Sequence, residues 1–389
     1  MEQKVFKLKD FAQDVSIAVK DAQASPYDRF VGLEHYDSGE PVITRFTDTS
    51  LLSSSVKEFH TNDILIARRN VYLRRAGIAF FDGLTSGDSI VLRIYDDCNK
   101  RTGINKEDAI KIIPFILNSN HFWAYANKHA DGMNSKRISK EMLYNYEFTL
   151  PSIEDMKLLA DKLWSAYRLK ESYKKLLAAT EEMVKSQFIE MFGNPLASIQ
   201  KYPLKKLGEC CKLNPRRPSL DLEDTDKVSF VPMPSVSENG YLQDVIDEEY
   251  GKVKKGFTYF KNNDVLFAKI TPCMENGKGA IAEGLTNNIG MGSTEFHVLR
   301  PIEGKSNPFW LLALTRLPIF RERATKNMSG TGGQKRVPAT YLENFMVGLP
   351  PIEEQNRFEN IFNQADKSGF ELRKSIDAID AVIKSLINN

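Results

Sequence analysis

Leu150-Pro151-Ser152-Ile153-Glu154 returns 199 positions later as Leu349-Pro350-Pro351-Ile352-Glu353, and Lys185-Ser186 returns at the same offset as Lys384-Ser385. A chain that repeats itself at such a distance is built from two copies of one plan. Both copies open a long helical pattern. In the second, apolar residues step by four and three through Phe358, Phe362, Ala365, Gly369, Leu372, Ile376, Ile379, Ile383 and Leu386, a heptad seam. Equivalent positions of the first copy read Leu159, Leu163, Ala166, Lys170, Tyr173, Leu177, Thr180, Val184 and Gln187, a weaker seam with polar interruptions. A sustained seam buries itself against another seam, and the matching registers make the other copy the expected partner. The plainer alternative is a pair of amphipathic helices packed on separate domains.

The remaining segments repeat in the same order. Phe59-His60-Thr61-Asn62-Asp63-Ile64-Leu65-Ile66-Ala67-Arg68 matches Phe260-Lys261-Asn262-Asn263-Asp264-Val265-Leu266-Phe267-Ala268-Lys269, Lys136-Arg137-Ile138 matches Lys335-Arg336-Val337, and Leu143 with Asn145 matches Leu342 with Asn344. Gly83-Leu84-Thr85 falls near Gly284-Leu285-Thr286 and Pro114-Phe115 near Pro308-Phe309. The expected fold class is therefore α+β: two tandem mixed α/β domains, 1–150 and 196–349, separated by helical spacers 151–195 and 350–389. The spacers are expected to pair as an intramolecular antiparallel coiled coil with a pseudo-twofold internal repeat. Within the first domain the patterns predict strands at Val31 to Glu34, Asp63 to Ala67, Gly77 to Phe81 and Ser89 to Tyr95, then a helix from Pro114 to about Ala130. Gly193 and Pro195 predict the end of the first spacer helix.

Bulk charge argues neither for nor against a polyanionic partner. The formal net charge is +2, and the surplus of Lys and Arg is confined to residues 201–350, where 21 stand against 17 Asp and Glu. A local basic surface balanced by acidic faces elsewhere still fits nucleic acid. Met1 to Lys20 mixes charges through its apolar residues, so neither a signal peptide nor a membrane anchor is expected, and the cytoplasm is the expected compartment. Four cysteines without a CxxC pair suggest neither a disulfide framework nor structural zinc.

Several catalytic signatures are missing from the sequence. There is no GxxxxGK[ST] loop, no Pro-Asp dipeptide and no Asn-Pro-Pro-Tyr/Phe, and the nearest approach to the last is Asn307-Pro308-Phe309-Trp310. His35, His60, His121, His129 and His297 make no close ligand pair. No catalytic residue, cofactor-binding residue or metal ligand is expected in this chain.

The order domain, spacer, domain, spacer, together with Val231-Pro232-Met233-Pro234-Ser235-Val236, Asn263-Asp264-Val265-Leu266-Phe267-Ala268-Lys269-Ile270-Thr271-Pro272, Gly330-Thr331-Gly332-Gly333-Gln334-Lys335-Arg336-Val337-Pro338 and Leu349-Pro350-Pro351-Ile352-Glu353-Glu354-Gln355, resembles the specificity subunit of bacterial type I restriction-modification enzymes. That resemblance implies two target-recognition domains, each reading half of a split DNA sequence. It also implies helical spacers that fix the gap, two methyltransferase subunits docked on the coil, and restriction/translocase subunits that join them. S-adenosylmethionine, ATP and Mg would serve those partner subunits rather than this chain. The first half departs from the pattern at Asp131-Gly132-Met133-Asn134-Ser135-Lys136, where the second has its glycine-rich loop, as expected for a different half-site.

Candidate DNA contacts follow from residue chemistry. Ser329, Thr331, Gln334, Lys335 and Arg336 combine glycine-allowed backbone approach with donors for phosphates or base edges, and Lys136 and Arg137 recur at that place in the first half. Arg68, Arg69, Asn70, Arg74 and Arg75 form a second cluster, with Lys269, Thr271 and Lys278 as counterparts. Solvated loops, a charged strand edge, or a brace between domain and helix are the blander alternatives for these residues. For the chain as a whole, the alternatives are a coiled-coil adaptor with twin protein- or glycan-binding domains, and a nuclease or methyltransferase whose site lacks a known signature.

Overall fold

The structure, a computed structural model, describes residues 4–22, 25–49, 56–132, 135–194, 201–331 and 333–388. It divides into two units, Met1–Lys174 with Lys374–Asn389, and Lys175–Arg373. The long helices Ile153–Phe192 and Ile352–Asn388 are therefore each shared out between the two.

In the first unit, Lys4–Lys7 pairs antiparallel with Glu147–Leu150. A central sheet runs in the order Ala12–Asp14, Ser89–Ile94, Ile64–Ala67, Ala76–Ile78. A second sheet follows the order Ile17–Val19, Val56–Phe59, Gly83–Ser86, Arg29–Val31, Thr47–Asp48. Ile64-Leu65-Ile66-Ala67 is apolar throughout because both faces are covered. Ile64 and Ile66 join Ile112, Phe115, Phe122 and Trp123 of the helices in one core, whereas Leu65 and Ala67 join Val31, Tyr36 and Phe59 in another.

The second unit repeats this plan. Leu204–Lys206 pairs with Met346–Gly348, and its central sheet runs Cys211–Leu213, Phe296–Pro301, Val265–Ala268, Gly279–Ile281. Its other sheet runs Ile246–Glu249, Lys227–Val231, Ile289–Gly292, Thr258–Lys261, with no counterpart of Ile17–Val19 among the described residues. An ion pair on a buried carboxylate recurs with it. Arg93 Nε and Nη2 donate to both oxygens of Asp63 at 2.7 Å, and Arg300 does the same to Asp264 at 2.8 and 2.6 Å. Each carboxylate also caps its own turn, accepting from the backbone of His60 and Lys261 respectively.

Within each unit the helical segments run antiparallel. In the first, Ile379, Ile383 and Leu386 pack into the core that holds Ala160, Leu163 and Tyr167. In the second, Phe188 and Phe192 meet Phe358 edge-on, both with ring centroids 5.5 Å apart, and Glu181 approaches Arg373 at 4.0 Å. The seam of the second helix buries Phe358, Ala365 and Ile383 and half-buries Phe362, Leu372, Ile376, Ile379 and Leu386, as its periodicity predicts.

Three local expectations change. The helix expected from Pro114 to Ala130 is two helices, Lys106–Ile116 and Asn120–His129. Asn105 and Ser119 cap them, their side chains accepting from the backbones of Asp108 and Phe122, so Pro114 lies in a last turn rather than a first. The strand expected at Val31 to Glu34 ends at Val31 and passes into the turn Leu33–His35. Finally, Phe59 lies opposite Gly83 and Phe260 opposite Gly290, so the counterpart of Gly83 is Gly290 rather than Gly284. Gly193 caps the first long helix at φ +79°, while Pro195, the other expected stop, lies outside the described residues.

Candidate nucleic-acid interface

Each central sheet ends in the same small construction. In the first unit, Arg137 forms isolated antiparallel bridges with Arg69 and with Asp131, and the Ile138 amide donates to the Arg68 carbonyl. In the second, Arg336 bridges Ile270 and Ser329, and the Val337 amide donates to the Lys269 carbonyl. The loops 131–137 and 329–336 thus hang from the ends of Ile64–Ala67 and Val265–Ala268.

Two glycines close these loops. Gly132 has φ +107° and Gly330 φ +128°, and a Cβ would stand 2.9 Å from the Ser135 carbonyl or 2.6 Å from that of Gln334. Glycine alone accepts that conformation and approach. The two loops, dissimilar in sequence, share this turn. Met133, Asn134 and Gly332, which belong to the expected loops, lie outside the described residues.

Beside each loop stands one carboxylate, and it ties up one guanidinium. In the first unit Asp88 pairs with Arg69 at 2.8 Å. Across the bridge the Arg137 guanidinium makes no hydrogen bond or ion pair among the described residues. In the second unit Glu295 takes Arg336 through Nε at 2.9 Å and Nη2 at 2.8 Å. That bidentate contact, foremost by its hydrogen bonds, holds the Glu295 carboxyl below and the Arg336 guanidinium above their usual ranges. The ammonium groups of Lys269 and Lys335 and the side chains of Ser329, Thr331 and Gln334 make no hydrogen bond or ion pair among the described residues, and all but Lys269 are exposed.

The other candidates divide by what already holds them. Arg75 is spent inside the fold: its guanidinium donates to the carbonyls of Leu33 and Arg69 at 2.9 and 2.8 Å, and burial lowers its pKa. Arg68 Nε donates to the Ile138 carbonyl, Lys278 Nζ to that of Met233, and Lys136 Nζ to that of Asn127. Asn70 accepts from Ser135, the Thr271 hydroxyl lies 3.8 Å from the Met328 sulfur, and Arg74 donates to Asn120 at 2.8 Å from an exposed position. Arg336 does act as a brace, but its partner is a turn of its own sheet rather than a long helix.

The sequence reading missed Asp88, Glu295 and His297. His297 is buried, with Nε2 2.8 Å from the Val337 carbonyl and Nδ1 3.0 Å from Asn214 Nδ2, while Asn214 Oδ1 accepts the Val298 amide. The carbonyl contact makes Nε2 the protonated nitrogen and Nδ1 an acceptor, and burial lowers the pKa. This neutral ring anchors Val337, where the loop 329–336 ends.

Among the described residues no group of three or more His, Cys, Asp or Glu side chains could hold a metal, and no helix is long and apolar enough to cross a membrane.

Comparison with known proteins agrees with this architecture. Residues 200–379 match the family model for the type I restriction modification DNA specificity domain. The chain is 36% identical over 188 residues to the type I restriction enzyme EcoEI specificity subunit of Escherichia coli, covering 46% of this chain and 31% of that one. It is 34% identical over 234 residues to the EcoAI specificity subunit of the same organism, covering 56% and 39%. The matched stretches thus span well under half of those relatives. A solved type I restriction-modification S subunit from M. genitalium shares the fold over 100% of this chain and 95% of its own, with a TM-score of 0.54 at 11% identity. Residues 200–379 thus match a type I restriction modification DNA specificity domain, and the chain as a whole shares the fold of a solved type I restriction-modification S subunit.

Proposed function

We propose that the chain is the non-catalytic DNA-recognition subunit of a type I restriction-modification complex, reading a split target with one half-site per recognition domain, 1–150 and 196–349. The spacers 151–195 and 350–389 set the gap between the half-sites and dock two methyltransferase subunits, to which restriction/translocase subunits are added. S-adenosylmethionine, ATP and Mg act on those partners, and the complex works in the cytoplasm. The observation that carries this reading is the twice-built loop at the end of each central sheet. Each presents cations that make no hydrogen bond or ion pair among the described residues, on a backbone pinned by bridges: Arg137 in one, and Lys335 with the neighbouring Lys269 in the other. Such groups suit phosphates and base edges, and the different side chains of the two loops suit two different half-sites.

Linking two half-site readers raises the effective concentration of the second and makes the gap part of the code. The test is methylation mapping in cells that carry the methyltransferase subunit, with and without this chain. A split motif should appear only with it. Removing one heptad from both long helices shortens each by about 10 Å and should change the accepted gap by about 3 base pairs. An unchanged gap would refute the spacer role, and methylation independent of the chain would refute the whole reading.

A further inference from the structure

Lys170 stands at a seam position of its helix where the repeat carries Gly369, and it is 5% exposed. Its ammonium lies 2.5 Å from Asp380 Oδ1 on the second long helix and 2.6 Å from Glu40 Oε1. Lys174 reaches the same Glu40 oxygen at 3.1 Å and Glu171 at 3.0 Å. Glu40 belongs to a turn fixed to the central sheet of the first unit: the Gly39 amide donates to the Arg74 carbonyl, and the Ile78 amide to that of Pro41. One buried ammonium therefore ties both helical segments of the unit to the edge strand Ala76–Ile78.

Chemistry of this kind is costly in a helix seam, since desolvating the charges offsets much of their attraction. What a polar seam residue supplies is register and orientation, because only one alignment satisfies it. The same place in the second unit carries a tie of different chemistry. Arg373, the repeat equivalent of Lys174, stacks on Tyr241 with its guanidinium 4.9 Å from the ring centre, and reaches Glu181, the equivalent of Asp380. Arg316 adds a hydrogen bond to the Glu238 carbonyl at 3.2 Å in the same turn. The tie recurs while its residues change, which argues for the connection rather than for any one ion pair.

We propose that Lys170, through Glu40 and Asp380, is a positioning residue for split-target reading: it locks the first recognition domain to its helical segments in one orientation and so narrows the range of gaps the complex accepts. This inference rests on the function proposed above. It is tested in the assembled methyltransferase complex with substrates carrying the native gap or one base pair more or less. Two variants serve, Glu40→Gln and the apolar triple variant Lys170→Met/Glu40→Leu/Asp380→Leu, since apolar replacement of a buried charge cluster preserves stability. Both should keep both half-site sequences, while the preference for the native gap falls about tenfold, a coupling of ordinary size for one network. Unchanged gap preference in both variants overturns the clamp. Equal loss at every gap, with lowered melting temperature in both, also overturns it, by reducing Lys170 to a stability role. A wild-type complex that methylates no split target would instead overturn the function on which the clamp depends.

Discussion

Arg137, Lys269 and Lys335 differ from Arg75 in one respect that bears on the proposed DNA contact: among the described residues their cationic groups make no hydrogen bond or ion pair, whereas that of Arg75 is spent on backbone carbonyls. Replacing any one of the three by alanine should weaken DNA binding evenly across sequences and reduce the slope of log affinity against log salt by about one. Arg75→Ala should leave that slope alone and lower thermal stability, because the carbonyls of Leu33 and Arg69 lose their donors. Titrating binding against salt for the four variants separates the two outcomes. The recurrence of Lys136-Arg137 as Lys335-Arg336 is legible in the sequence, but which arginine stays free is not. That depends on Asp88 and Glu295, which reach different arginines of the shared bridge.

His297 gives a second test at this scale. Its folded pKa lies below the unfolded value of about 6.5, so below that pH the unfolded chain binds the extra proton more readily than the folded one. The stability contributed by the neutral ring is full above about pH 6.5 and is lost as pH falls toward the folded pKa. Protonation would set an Nδ1 proton against the Asn214 amide, whose oxygen is already committed to Val298. Thermal melts between pH 7.5 and 5 should show a loss that His297→Gln flattens; an equal slope in the variant would refute the assignment.

At the scale of elements, both repeats lay a phenylalanine over a glycine on the neighbouring strand, Phe59 on Gly83 and Phe260 on Gly290. A Cβ at Gly290 would fall 2.0 Å from the Phe260 ring, and neither strand can yield without opening a buried face. Gly290→Ala should therefore cost about 1–3 kcal/mol by chemical denaturation. Asp264→Asn, which leaves Arg300 without its carboxylate, should cost about 3–5 kcal/mol. A change under half of either lower bound would show that the sheet relaxes around the lesion. The run Ile64 to Ala67 and the helical seam were readable because period and apolar content declare them. The split at Asn120 was not, since Ser119 is a cap only once the chain turns there, and the six-residue shift of the counterpart of Gly83 from Gly284 to Gly290 is fixed by strand pairing, which local sequence does not encode.

At the scale of the whole molecule, the proposed function requires that exchanging residues 175–373 for the matching tract of a similar specificity subunit alter one half-site of the methylated motif and leave the other intact. Single-molecule methylation mapping reads this directly, and a change in both halves would end the modular reading. The repeat at 199 residues was visible in the sequence, but the grouping of residues was not. A linear reading assigns each long helix to a spacer, whereas packing gives the start of one and the end of the other to the same core.

Lys174 and Arg373, where the units divide, are themselves 199 positions apart, at equivalent points of the duplicated helices. Genetic crossover between the two tracts would therefore join helix to helix in phase. The internal repeat doubles as a natural cassette border, at which one unit can be exchanged for another without shifting the helical phase.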